Sequence, residues 1–194
     1  MMSKEVPKTA LLVIDVQCGI LDDPQPKRKH ETEKALDETV ARIAGLIARA
    51  RDASTPVLFI QHDGTKGHRL EPKTPGWRLR PELGPRPDEP VIHKRACDAF
   101  FETSLEKELA TRGIQRLIIA GCMTQYCVDT TVRRAVSLAY DAVLAADGHM
   151  TSDLGSLTFE QIIAHHNALL NGFDAGEHAV RVVPSREIRF DQSS

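Results

Sequence analysis

Apolar residues recur along the chain in two rhythms. Short, nearly unbroken apolar runs occupy residues 9–15, 56–60, 91–94, 117–120, 141–145 and 179–183. Runs of this length without polar alternation predict parallel strands covered on both faces. Between them the spacing becomes helical. Leu36, Val40, Ile43, Ala44 and Ile47 mark an amphipathic helix over about 32–51, and Val128, Thr131, Val132, Ala135 and Val136 mark another that ends near 139. Thr103 and Glu106 read as a capping box before Leu105 and Leu109, with Gly113 as the stop. Thr158 and Gln161 cap a last helix carrying Ile162, Ile163, Leu169 and Leu170 and ending at Asn171-Gly172. Strands alternating with helices predict an α/β fold: three layers, α/β/α, around a doubly wound, six-stranded, mostly parallel sheet with right-handed crossovers. No repeat or linker divides residues 1–194, which read as one domain whose 191–194 end frays.

The interruptions of this pattern carry the chemistry. Asp15 closes the first apolar run, Lys94 closes the third, and Cys127 follows the fourth within Gly121-Cys122-Met123-Thr124-Gln125-Tyr126-Cys127-Val128. In a doubly wound sheet the C-terminal strand ends share one edge, and ligands bind in the crevice there. Cys127 is placed at or beside the first turn of a helix, where free N–H groups and the helix dipole favour a thiolate. An ordinary buried core cysteine fits the same position, as a strand-ending turn acid fits Asp15. Taken together, an acid, a cation and a thiol at one edge suit nucleophilic catalysis. Residues 22–29 read as an exposed loop and 147–153 as a strand-end loop. The long connection at 62–90, rich in Gly, Pro and charge, has the length of a functional loop. It holds Trp77, the sole tryptophan.

Composition narrows the picture. With 194 residues, 41% hydrophobic and 27% charged, the chain is long enough for a sizeable core. A net charge of -2 and a pI near 6.4 supply no electrostatic reason to expect nucleic acid or an anionic membrane as partner. The apolar runs are strand-length and residues 1–5 lead into no signal-peptide core, so a cytoplasmic location is expected. The cysteines, Cys18, Cys97, Cys122 and Cys127, show no zinc-like pairing and are expected as free thiols.

Leu12-Val13-Ile14-Asp15-Val16-Gln17, then Lys94 with Asp98-Ala99-Phe100 and Thr103-Ser104-Leu105, then Gly121 to Val128 with Thr131 and Arg133, stand in an order that resembles the isochorismatase-like cysteine hydrolases. That superfamily includes nicotinamidases, carbamoylsarcosine amidase, and ureidoacrylate and biuret hydrolases. The resemblance runs from about Thr9 to Val183. It implies a Rossmann-like fold and a triad of Asp15 as general base, Lys94 as charge balance and Cys127 as nucleophile. It also implies a non-proline cis peptide at Cys122-Met123 and an oxyanion hole formed by the N–H groups of Met123 and Cys127. The reaction implied is hydrolysis of an amide or ureido C–N bond through a thioester. The ether-cleaving isochorismatases of the family lack the cysteine, so Cys127 points to amidase chemistry.

This chain departs from the nicotinamidase pattern where a metal site would start. Gln61-His62-Asp63-Gly64, with His68 downstream, breaks the Asp-x-His order, so no metal and no other cofactor is expected. A metal-assisted, nicotinamidase-type amidase is the alternative, with His62, Asp63 and His68 as the residues of an improvised site. Gln17, Trp77, Gln125, Tyr126 and Thr131 are candidate substrate contacts, His149 a candidate for the pocket mouth, and His165-His166 plain helix residues. The partner expected is a small amide or ureido molecule, and family habit implies a homodimer or homotetramer. Two rival readings from other classes also stay open. One is a thiol sensor in which Cys122 or Cys18 resolves an oxidised Cys127. The other is a silent binding module on a shared fold.

Overall fold

The computed structural model describes residues 7–22 and 28–190. Residues 1–5, most of the 22–29 loop and the 191–194 end lie outside them. Strand β1 (Thr9–Ile14) is buried throughout, as its unbroken apolar run requires. Helix α1 (Lys29–Asp52), β2 (Val57–His62), β3 (Val91–Lys94), α2 (Leu105–Thr111) and β4 (Arg116–Cys122) follow. Then come α3 (Asp129–Ser137), β5 (Asp141–Met150), α4 (Phe159–Leu170), β6 (Asp174–Ala175) and β7 (His178–Val183). The sheet order is β3-β2-β1-β4-β5-β7-β6, parallel except for β6. Winding reverses between β1 and β4, so the ends of these two strands flank the switch point.

Alternate residues face opposite helical layers. Leu11, Val13, Ile118 and Ala120 pack with Leu36, Val40, Ile43 and Ile47 of α1. Leu12, Ile14, Leu117 and Ile119 pack with Leu105 and Leu109 of α2 and with Val132, Ala135 and Val136 of α3. Helix α4 places Phe159 and Ile163 in the first cluster and Leu170 in the second.

Among the described residues the expected six strands are seven. Strand β6, too short to leave an apolar pattern, folds back against β7 as a hairpin with Asp174 opposite Ala179. Strand β5 does not stop at 145. Its pairing with β4 shifts register between Ile119 and Gly121 and resumes with Gly121 beside His149 and Cys122 beside Met150. The polar, glycine-containing 147–150 stretch, expected as loop, is therefore strand. Helix α1 starts at Lys29 instead of 32, and β2 runs on to include Gln61 and His62.

The α4 capping box forms as expected, with Thr158 Oγ1 accepting from the Gln161 N–H and Gln161 Oε1 from the Thr158 N–H. The Thr103–Glu106 box does not. The Thr103 hydroxyl donates to Ala99 O at 2.6 Å and accepts from the Leu105 N–H, and Ser104 caps α2 without a side-chain bond. The 62–90 connection folds back over the segment after β1. Cys18 N donates to Arg78 O and Gly19 N to Gly76 O at 2.8 Å each, and Arg80 N donates to Val16 O.

Candidate active site

Asp15 leaves β1 in the left-handed region, at φ 50°, a conformation that aspartate tolerates better than most residues. Its N–H still donates to Ile60 O at 2.9 Å, so the bend follows directly on the last ladder bond. Lys94 is the last residue of β3, held opposite His62 of β2. On β4, Gly121 passes against β1 at φ 136°, and a Cβ there would lie 2.0 Å from Ile14 O. The chain continues through a cis peptide between Cys122 and Met123 into a π-helical turn, Thr124–Val128, that precedes α3. The Met123 carbonyl accepts from the Tyr126 and Val128 N–H groups at 3.1 and 3.2 Å. Cys127 sits in this wide turn, beside the start of α3.

These elements bring Asp15, Lys94 and Cys127 together, with Asp15 and Lys94 buried and Cys127 nearly so. Lys94 Nζ lies 2.6 Å from Asp15 Oδ2. It donates to Cys127 Sγ at 3.1 Å and to Ala96 O at 2.8 Å, so each ammonium hydrogen has a partner. Apart from that ion pair, no hydrogen bond from the described residues holds the Asp15 oxygens. Burial, and then the neighbouring thiol, push the Asp15 carboxyl well above the usual carboxylate range against the pull of Lys94. Burial works against the Lys94 charge, but Asp15 and Cys127 hold its pKa above the ordinary value.

A second sulfur joins the group. The neighbouring Cys97 thiol, and then burial, raise the Cys127 pKa against the opposing effects of Lys94 and Asp15. Cys127, aided by Lys94 and opposed by burial, lowers exposed Cys97 to about 6. The sequence reading missed Cys97. The available signal was a cysteine just past the strand-ending lysine, in Lys94-Arg95-Ala96-Cys97.

The other candidates divide. Gln17 is fully buried and is a brace, contrary to its expected role as a substrate contact. Its Nε2 donates to His62 O at 3.0 Å and Trp77 O at 2.8 Å, and its Oε1 accepts from the His62 N–H. Thr131 is likewise committed to the protein backbone. Its buried hydroxyl accepts from the Ala99 N–H at 3.1 Å and donates to Cys97 O at 3.4 Å, pinning the loop after β3. Trp77 stacks on His93 with ring centroids 5.6 Å apart and donates Nε1 to Asp63 Oδ1 at 2.8 Å. It thereby supports the wall of a cavity of about 330 Å³ lined by Asp63, His93, Lys94, Arg95, Ala96 and Phe101. Gln125 keeps a buried Oε1 without a partner, and Tyr126 is 43% exposed. His149 is not at a pocket mouth but buried behind the π-helical turn.

His62, Asp63 and His68 do not make a ligand set. Asp63 Oδ1 already faces Trp77 Nε1 and His93 Nδ1, and His68 Nδ1 accepts from the Leu70 N–H. Among the described residues no group of three His, Cys, Asp or Glu side chains is arranged to hold a metal ion. A cavity of about 1020 Å³ bordered by Cys18, Asp22, Arg28, Arg80 and Asp153 contains none of the three reactive side chains. Among the described residues no helix is long and apolar enough to cross a membrane.

Fold and site first define a class: a doubly wound α/β protein with a buried carboxylate, ammonium and thiol at its switch point. Within that class the chain belongs to the isochorismatase family, since residues 9–171 match the Isochorismatase domain. It is 37% identical over 145 residues to a streptothricin hydrolase of Streptomyces noursei, covering 75% of this chain and 50% of that one. A ureidoacrylate amidohydrolase of Variovorax paradoxus is 32% identical over 152 residues, covering 63% and 60%. The chain thus spans about half to three-fifths of the length of these curated relatives. A crystal structure of an isochorismatase from Pseudomonas putida superposes with a TM-score of 0.82 at 32% identity, covering 94% of this chain and 90% of that one.

Proposed function

We propose that this protein is a cysteine-dependent hydrolase that cleaves a C–N bond of a small amide or ureido compound through a thioester, without a metal. The observation that carries this is the buried Lys94 ammonium, 2.6 Å from the Asp15 carboxylate and 3.1 Å from Cys127 Sγ. Burial makes Asp15 basic enough to take the thiol proton, while Lys94 holds the resulting negative charge in place. The thiolate adds to the substrate carbonyl, and the oxygen takes up the electron pair. The backbone N–H groups of Met123 and Cys127 are assigned to that oxyanion, each contributing about 3 kcal/mol of barrier lowering. Protonated Asp15 then gives its proton to the leaving nitrogen as the C–N bond breaks. Once again a carboxylate, it deprotonates a water that attacks the thioester, and the thiol is restored.

A cavity of about 330 Å³ beside Lys94 suits a small molecule. The relatives named as a streptothricin hydrolase and a ureidoacrylate amidohydrolase support hydrolysis, and the second name supports an amide or ureido bond. The prior commitment of Asp63 and His68 to protein donors supports a reaction that needs no metal.

The test is ammonia release from a panel of nicotinamide, carbamoylated amino acids, biuret and ureidoacrylate, with untreated protein, EDTA-treated protein and Cys127→Ala in parallel. Turnover is expected to survive EDTA and to fall at least about a thousandfold in Cys127→Ala. Full activity in the alanine variant would remove Cys127 from the nucleophile's role, and loss with EDTA would restore a metal.

A further inference from the structure

Behind the π-helical turn that carries Cys127 lies a chain of polar side chains drawn from three elements. Thr124 opens the turn and is fully buried, His149 lies near the end of β5 with 1% of its surface exposed, and Asn167 stands on α4. The direction of donation is set from one end. Ala146 O can only accept, so Asn167 turns Nδ2 to it at 2.9 Å. Asn167 Oδ1 then accepts from His149 Nε2 at 2.9 Å, and in the neutral ring Nδ1 accepts from the Thr124 hydroxyl at 2.9 Å. His149 reaches this place because β5 resumes pairing with β4 after the register shift, which sets it beside Gly121.

Burial alone does not ask for such a chain. Apolar side chains would fill the same space, whereas a fully satisfied set of directional hydrogen bonds holds a group in one orientation. What it holds here is the start of the turn. Thr124 follows directly on Met123, whose carbonyl accepts from the Tyr126 and Val128 N–H groups on either side of Cys127. We propose that Thr124, His149 and Asn167 are positioning residues, which hold the Met123 and Cys127 N–H groups on the carbonyl oxygen that becomes the oxyanion. They act through the turn and not on the reacting atoms. Their role rests on the proposed hydrolysis, in which Cys127 adds to a carbonyl, and it concerns the oxygen of that carbonyl rather than the sulfur. Preorganised donors lose their effect when they stray, and a misplacement of about 1 Å costs on the order of a hundredfold in rate.

Two probes of the full chain separate oxygen from sulfur. p-Nitrophenyl acetate acylates Cys127 by carbonyl addition: the S–C bond forms, the thiol proton passes to Asp15, and the oxyanion collapses as the C–O bond breaks and p-nitrophenolate leaves. Iodoacetamide alkylates the same sulfur by displacing iodide and makes no oxyanion. The acylation rate is the nitrophenolate release that Cys127→Ala lacks, and alkylation is followed at Cys127 by mass spectrometry. Thr124→Val, which keeps the shape and loses the donor, is expected to slow acylation at least about tenfold and to leave alkylation unchanged. Thr124→Ser, which keeps the donor, is expected to restore acylation. Asn167→Leu, on α4 and outside the turn, is expected to slow acylation with the same selectivity. The double variant, Thr124→Val with Asn167→Leu, should be no slower than Thr124→Val alone, because both changes break one chain. Acylation that keeps its rate in Thr124→Val, falls together with alkylation, is not restored in Thr124→Ser, drops additively in the double variant or is absent from wild type would overturn the proposal. Selective loss of acylation in a protein that hydrolyses no amide would leave it standing and count against the hydrolase reading alone.

Discussion

The Thr131 hydroxyl separates a residue that lines a site from one that builds it. It supplies the acceptor for a buried Ala99 N–H, and a valine there would leave that donor unpaired at a cost of about 1–3 kcal/mol. Thr131→Val is therefore expected to lower stability by this amount in urea unfolding. Because the hydroxyl faces the loop and no cavity, KM should change little, and a large KM change at unaltered stability would return Thr131 to the substrate contacts. The same reasoning explains what was legible at this scale. Asp15 and Lys94 each close an apolar run, and Cys127 stands just past another. Each alone fits a structural role, but three such groups at one sheet edge point to chemistry. Gln17 and Thr131 stand next to reactive residues and read as ligand contacts, yet nearby backbone groups also need partners and took them. Cys97 stayed hidden because its place near the triad depends on how the loop after β3 folds back, which no local pattern records.

At the scale of elements, the site depends on how closely β1 and β4 approach. Gly121 pairs with Ile14, and the nearest atom to an added Cβ would be the Ile14 carbonyl oxygen at 2.0 Å, itself part of the backbone and unable to move aside. Gly121→Ala is expected to destabilise the protein by at least about 2 kcal/mol, since both the clash and the φ of 136° oppose a side chain. Thermal unfolding by circular dichroism checks this, and a variant as stable as wild type would mean that β4 can shift from β1 without loss. The alternation of strands and helices was legible because each element buries a continuous apolar face. Strand β6 was not, because two residues cannot show a pattern. The extension of β5 was hidden by Gly148 and its polar neighbours, which sit in strand pairing only because β4 changes register at Gly121.

Stability of the whole molecule should depend on pH through one buried chain of hydrogen bonds. Asn167 Nδ2 donates to Ala146 O at 2.9 Å, which leaves its Oδ1 to accept from His149 Nε2, also at 2.9 Å. His149 Nδ1 must then accept from Thr124 Oγ1 at 2.9 Å, so the ring is neutral and ties α4 through β5 to the π-helical turn. Protonation would put a hydrogen where the ring now accepts one. Burial, opposed by the Asn167 bond, lowers the His149 pKa from 6.5 to about 4. His62 is lowered to about 4 as well, by burial and then by Lys94. Between 6.5 and about 4 the unfolded chain binds protons at these positions that the native protein refuses. Stability from both histidines is thus fully present above 6.5 and is lost as pH falls through this window. Asp15 has the opposite sign, since its raised native pKa favours the folded state at lower pH, so the histidine contribution has to be isolated by substitution. His149→Gln keeps a polar side chain that does not titrate. Its stability is expected to fall less between pH 7 and pH 5 than that of wild type, by about 2 kcal/mol for a group whose native pKa lies well below the window. Urea unfolding of both proteins at the two pH values measures the difference directly. Equal slopes would mean that His149 takes up its proton in the native state and that the Thr124–His149–Asn167 chain rearranges to admit it.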